Sequence, residues 1–100
     1  MEIAKLIEKL INENTPLLLI GRGQSSRFHT NFSSSKFVKI GFNRNDQFCK
    51  YSVNSVDVYE SYNNQKGVKI KTGSIHCSLI YFLYILNHES IIKKKVYLIG

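Results

Sequence analysis

The sequence predicts one α+β domain over residues 1–100. Its expected core is a four- to five-stranded, mostly antiparallel sheet with two helices packed on it, in the order α-β-β-β-(β)-α-β. Three observations predict this. Residues 2–13 carry an apolar stripe at helical spacing. Residues 17–20, 37–42 and 47–59 read as strands divided by turn signals. Residues 72–86 form a second, almost wholly apolar helical stretch. One hundred residues with 43% hydrophobic content bury roughly two-thirds of their unfolded surface, enough for one core without a metal or disulfide staple.

The first helix rests on Ile3, Leu6, Ile7, Leu10 and Ile11, spaced i, i+3, i+4, i+7, i+8. Lys5, Glu8, Lys9 and Glu13 fall on its wet side, and Asn14 and Pro16 stop it. The all-apolar run at 17–20 reads as a buried strand. Gly21, Arg22 and Gly23 end it, and residues 21–35 follow as a long irregular loop with no period. In the next strand Val38, Ile40 and Phe42 alternate with Phe37, Lys39 and Gly41. Asn43, Arg44, Asn45 and Asp46 are a turn signal, so residues 37–42 and 47–59 are expected to pair as a hairpin. Tyr51 and Val53 share one face of the second strand while Val56 and Val58 share the other, which predicts a bulge near Asn54 and Ser55. A loop over 62–67 and a short strand over 68–71 follow.

Thr72 or Ser74 caps the second helix. Ile75, Leu79, Phe82, Leu83 and Leu86 make its main stripe. Ile80, Tyr81, Tyr84 and Ile85 lie outside that stripe, which predicts a central position or a homodimer interface through this helix. Residues 91–99 close the chain as a strand.

The charge is local. Residues 21–50 hold all three arginines, three of the lysines and one acid, and so contribute +5 of the formal net +7. They also hold five of the six phenylalanines. Interleaved cations and rings suit a phosphate backbone with stacked bases. The predicted function is therefore a small non-enzymatic module that binds nucleic acid or another polyanion. Its candidate contacts are Arg22, Arg27, Phe28, His29, Phe32, Lys36, Lys39 and Arg44. The competing reading is a protein–protein inhibitor: an immunity protein, antitoxin or anti-defence protein that neutralises a partner enzyme. Tyr51, Tyr59 and Tyr62 are its candidate contacts, and an acidic protein is the partner a basic face fits. One Ala against twelve Ile, eleven Lys and nine Asn points to an A+T-rich gene of the mobile-element kind.

The third reading is a metal-free ribonuclease, with His29 as general base and Arg22 and Arg27 on the phosphate. Other chemistries fit worse. The two glycines after the first strand lack the ending of a phosphate-binding loop. Asp46, Asp57 and Glu60 do not make a metal-nuclease cluster. Cys77 follows His76 directly, and adjacent helical residues do not face each other. Cys49 is expected on a strand. No cofactor and no metal are expected. The amino terminus carries acids at once and does not read as a secretory signal, and no stretch reads as a membrane span. With Cys49 and Cys77 far apart in sequence, the expected location is the reducing cytoplasm.

Overall fold

The computed structural model describes residues 3–12, 15–44, 46–55, 67–70 and 95–100. The first helix, α1, spans Ile3–Ile11. Its stripe is buried at Leu6, Ile7 and Leu10, and Lys5, Glu8 and Lys9 are exposed. Five strands follow: β1 Leu17–Ile20, β2 Val38–Phe42, β3 Tyr51–Ser55, β4 Gly67–Ile70 and β5 Val96–Ile99.

The strands form one sheet in the order β4-β3-β2-β1-β5, and every pairing is parallel. The expected antiparallel sheet is thus corrected, and with it the hairpin between residues 37–42 and 47–59. The sign of a parallel sheet was in the Leu-Leu-Leu-Ile run. A strand in the middle of a parallel sheet is covered on both faces and reads as continuously apolar. β1 is that strand, with β2 on one side and β5 on the other. Leu17 and Leu19 join Leu6, Ile7, Leu10, Val38, Ile40, Phe42, Tyr51 and Val53 in one core cluster on the α1 side. Leu18 and Ile20 join Cys49 on the opposite face, with Phe32, Phe37, Phe48 and Ile99 packed against them. Each fully buried leucine or isoleucine contributes roughly 1.5–3 kcal/mol of transfer free energy.

Two connections cover this second face. Residues 21–37 link β1 to β2 and contain a 3-10 helix over Gln24–Asn31. The loop expected at 21–35 is therefore partly helical. Residues 43–50 link β2 to β3 in only eight residues, fewer than the dozen or more usual between adjacent parallel strands. Such a short link has to lie flat on the sheet, and Gly41 lets it. A Cβ on Gly41 would stand 2.7 Å from Arg44 Cγ and 2.9 Å from Cys49 Sγ. Asn43 starts the link at φ 54, in the left-handed region that Asn tolerates. Its Oδ1 accepts the Ser55 N–H at 2.7 Å. Cys49 sits in this link, buried, and not on a strand.

β3 starts at Tyr51 rather than at residue 47. Its ladder with β4 runs unbroken through Asn54↔Lys69 and Ser55↔Ile70, so no bulge interrupts it there. Residues 56–59, the second helix expected over 72–86, the homodimer interface assigned to that helix, and Cys77 lie outside the described residues. β5 forms one edge of the sheet and exposes Val96, Tyr97 and Leu98.

Candidate functional site

The parallel sheet gives the chain a carboxyl edge, where β1, β2 and β5 all end. β1 feeds β2 on one side, while β5 enters on the other side of β1. The chain directions therefore diverge at the β1–β5 boundary, the kind of place where open α/β sheets bind ligands. A cavity of about 310 Å³ lies there, lined by Leu19, Gly21, Phe42, Leu98, Gly100 and the Ser25 side of the 3-10 helix. Leu19 and Leu98 are register partners and so share a face. With Phe42 they make an apolar floor. The rim is backbone and hydroxyl: the Gly21 N–H bonds to Ile99 O at 2.8 Å, and the Gly100 N–H to Ser25 Oγ at 2.7 Å.

The glycines of this rim have a structural task. A Cβ on Gly23 would meet the Gly100 carbonyl carbon at 2.7 Å. Gly100 itself stands at φ 101, with its Cβ position 2.8 Å from the Gly21 backbone. The chain leaving β1 thus touches the chain leaving β5, and side chains at Gly23 and Gly100 would block that approach. Sequence reasoning saw the first glycine pair but not this crevice. The available signal was that two apolar runs end alike, in Leu19-Ile20-Gly21 and Leu98-Ile99-Gly100.

The basic-aromatic residues are divided by the fold. Arg22, Arg27 and Lys36 are exposed. Phe28 is 46% exposed, with the Arg27 guanidinium 5.1 Å from its ring centre. These four are surface groups. The others are built in. Phe32 is half-buried, edge-on to Phe37 at 5.1 Å and 6.2 Å from Tyr97. Arg44 is half-buried, donates to the Gly21 carbonyl at 2.6 Å and pairs with Asp46. Its guanidinium also lies 5.4 Å from the Phe48 ring centre. Lys39 is only 5% exposed, because the pleat of β2 turns it under the first connection.

His29 stacks flat on Phe48, with ring centres 3.6 Å apart and 10° between planes. Its Nδ1 lies 3.3 Å from Lys39 Nζ. Desolvation first, then the charges of Lys39 and Arg44, lower its pKa from the ordinary histidine value of 6.5, and Asp46 acts in the opposite direction. An ammonium can only donate, so in this contact Nδ1 is the acceptor and the proton of the neutral ring sits on Nε2.

Of the three tyrosines assigned to a protein partner, Tyr51 is buried in the core on the α1 side. Tyr59 and Tyr62 lie outside the described residues. Among the described residues no group of three or more His, Cys, Asp and Glu is placed to hold a metal ion. Among them, too, no helix is long and apolar enough to cross a membrane. No protein-family model, curated protein or solved structure matches the chain.

Proposed function

We propose that this protein is a non-enzymatic binding module for a small phosphate-bearing ligand of the nucleotide class, seated at the carboxyl edge of the sheet. The observation that carries the reading is the cavity where β1 and β5 diverge, lined by Leu19, Phe42 and Leu98 below and Gly21, Ser25 and Gly100 above. An apolar floor suits a flat base, and beside an unbranched glycine rim the Ser25 hydroxyl, whose oxygen accepts the Gly100 N–H, has an O–H that can donate to a phosphate oxygen. Arg22, exposed beside Gly21, is the cation nearest in sequence to that rim. The compartment that goes with this reading is the reducing cytoplasm.

Titration with nucleoside mono-, di- and triphosphates, followed by calorimetry, tests it. Binding should weaken about tenfold in Arg22→Ala, the loss of one charge-assisted hydrogen bond. No saturable binding of any nucleotide up to about 10 mM refutes the proposal.

A second reading has its own observation, the exposed Arg27–Phe28 pair. With Arg22 and Lys36 it supports contact with single-stranded nucleic acid through three cations and one stacking ring. Three phosphate contacts on a single strand give a slope of about −2 in log K against log salt. A salt-independent K would exclude it. The inhibitor reading loses Tyr51 as a contact, since that ring lies in the core.

A further inference from the structure

A second cavity lies at the opposite, amino-terminal end of the strands. It measures about 250 Å³ and is lined by Thr15, Ser34, Ser35, Lys39, Phe48 and Lys50, among others. Thr15 precedes β1 and Lys50 precedes β3, so this space is separate from the carboxyl-edge crevice. Its polar side chains are hydroxyls and ammoniums, with no carboxylate among them.

Lys39 is the informative member. An ammonium held out of water is costly unless it is paired or hydrogen-bonded. Lys39 donates to the neutral His29 at 3.3 Å, and its ammonium lies 5.9 Å from the Phe48 ring centre. An ammonium has three N–H donors, and a ring nitrogen takes one. Asp46, a described carboxylate in the 43–50 link, is paired with Arg44. Among the described residues no carboxylate forms an ion pair with Lys39. The surrounding wall is ordered by hydrogen bonds within its own turn. Ser33 Oγ and Ser35 Oγ lie 2.7 Å apart, and the Ser33 carbonyl accepts the N–H groups of Lys36 and Phe37 at 3.0 Å each. The Lys50 N–H bonds to Lys39 O at 2.9 Å, which sets the two residues side by side in the backbone, and the Lys50 ammonium lies 5.6 Å from the Tyr51 ring centre.

We propose that this cavity binds a tetrahedral oxyanion, inorganic phosphate or a phosphate monoester, with Lys39 as its buried cation, Lys50 at its rim and the Ser34–Ser35 turn as its hydroxyl wall. The anion supplies a negative charge that no described carboxylate gives to the Lys39 ammonium. The site does not depend on the nucleotide proposal, which concerns the other end of the sheet.

The test is a titration of the full chain with inorganic phosphate at constant ionic strength, balanced with chloride. Calorimetry should give a saturable isotherm, and the backbone amide resonances of Ser34, Ser35 and Lys50 should move together. Lys39→Gln keeps the stem and removes the charge; it should weaken phosphate about tenfold or more. Lys36→Ala removes the same charge from an exposed residue that does not line the cavity, and should change binding less than about twofold. If Lys39→Gln fails to fold, the amide shifts of the unaltered chain still decide. Three results overturn the proposal. One is no saturable binding up to about 10 mM. Another is equal weakening by Lys36→Ala. The third is phosphate that moves the amides of residues 21–25 and responds to Arg22→Ala, which places it in the carboxyl-edge crevice instead.

Discussion

Gly41→Ala separates the parallel topology from the hairpin that the sequence suggests. In the structure a Cβ at this position meets Arg44 Cγ at 2.7 Å and Cys49 Sγ at 2.9 Å. Neither atom is the far end of a free side chain. Arg44 is anchored on Gly21 O and Asp46, and Cys49 is buried. Overpacking of this kind costs about 1–3 kcal/mol. Replacing glycine also narrows the unfolded ensemble, which stabilises by about 0.4–1 kcal/mol. The expected net loss is therefore centred at about 1.3 kcal/mol within a range of about 0–2.6 kcal/mol, the central value being about 5–10 °C in Tm for a chain of this size. In a hairpin the link would turn beside the strand rather than over it, the added methyl would meet no such wall, and alanine would be neutral or stabilising. Urea unfolding measures the difference. Cys49→Ala in the same chain should recover part of the loss, with a coupling of about 0.5–1 kcal/mol. A Gly41→Ala variant as stable as the parent would refute the flat crossing of residues 43–50.

Three further outcomes follow from the same packing. Leu19→Ala, in the interior strand β1 where it is covered, should cost about 2–5 kcal/mol in urea unfolding; a loss below about 1 kcal/mol would remove β1 from the sheet interior. The His29 imidazole should titrate by NMR below the ordinary histidine value of 6.5, since burial, Lys39 and Arg44 all lower it, and Lys39→Gln should move its midpoint upward. Because the folded-state pKa is the lower one, the unfolded chain binds the His29 proton first on acidification. The contribution of His29 is thus complete above pH 6.5 and is lost as pH falls toward the folded value. Stability that rises on acidification through that window in the unaltered chain, but not in His29→Gln, would contradict the sign.

The elements were more legible in the sequence than their arrangement. The α1 stripe and the buried run at 17–20 were visible because helical period and continuous apolarity are local properties. Strand direction is not local. Val38, Ile40 and Phe42 alternate with Lys39 and Gly41 as they would in an antiparallel sheet with one wet face. Here the second face is not wet, because residues 43–50 and the 3-10 helix lie over it. Lys39, Ser52 and Asn54 are buried polar groups under that cover. Ser52 Oγ accepts from Asn54 Nδ2 at 3.1 Å, so part of their polar demand is met between neighbours on the strand. Nothing in a period-two pattern distinguishes a polar residue in water from one beneath a crossing loop. The glycine at 41 carried the missing information, since a strand interior favours glycine where another segment of chain comes close.

The same pleat explains why the basic segment does not act as one face. Lys36 lies in the turn before β2 and stays in water, while successive β2 side chains point to opposite sides of the sheet and Lys39 turns under the connection of residues 21–37. Arg44 leaves β2 at its carboxyl end and reaches back to the Gly21 carbonyl, joining the ends of two adjacent strands. A guanidinium used that way sets the height of the rim on which Gly21 and Ser25 stand, and is not itself available to a ligand without giving up that bond. The charge concentrated in residues 21–50 is thereby sorted into three uses: Arg22, Arg27, Lys36 and Lys50 are exposed, Arg44 ties the carboxyl edge together, and Lys39 is held at a cavity lined by hydroxyl residues. Arg44→Lys distinguishes the second use from ligand contact. Lysine keeps the charge but loses the fork that bonds Gly21 O and Asp46 at once. If Arg44 is a tie, the variant should lose about 1–3 kcal/mol of stability, and any nucleotide affinity should fall only in step with the folded fraction. Unchanged stability with affinity lost would make Arg44 a ligand contact and the tie incidental.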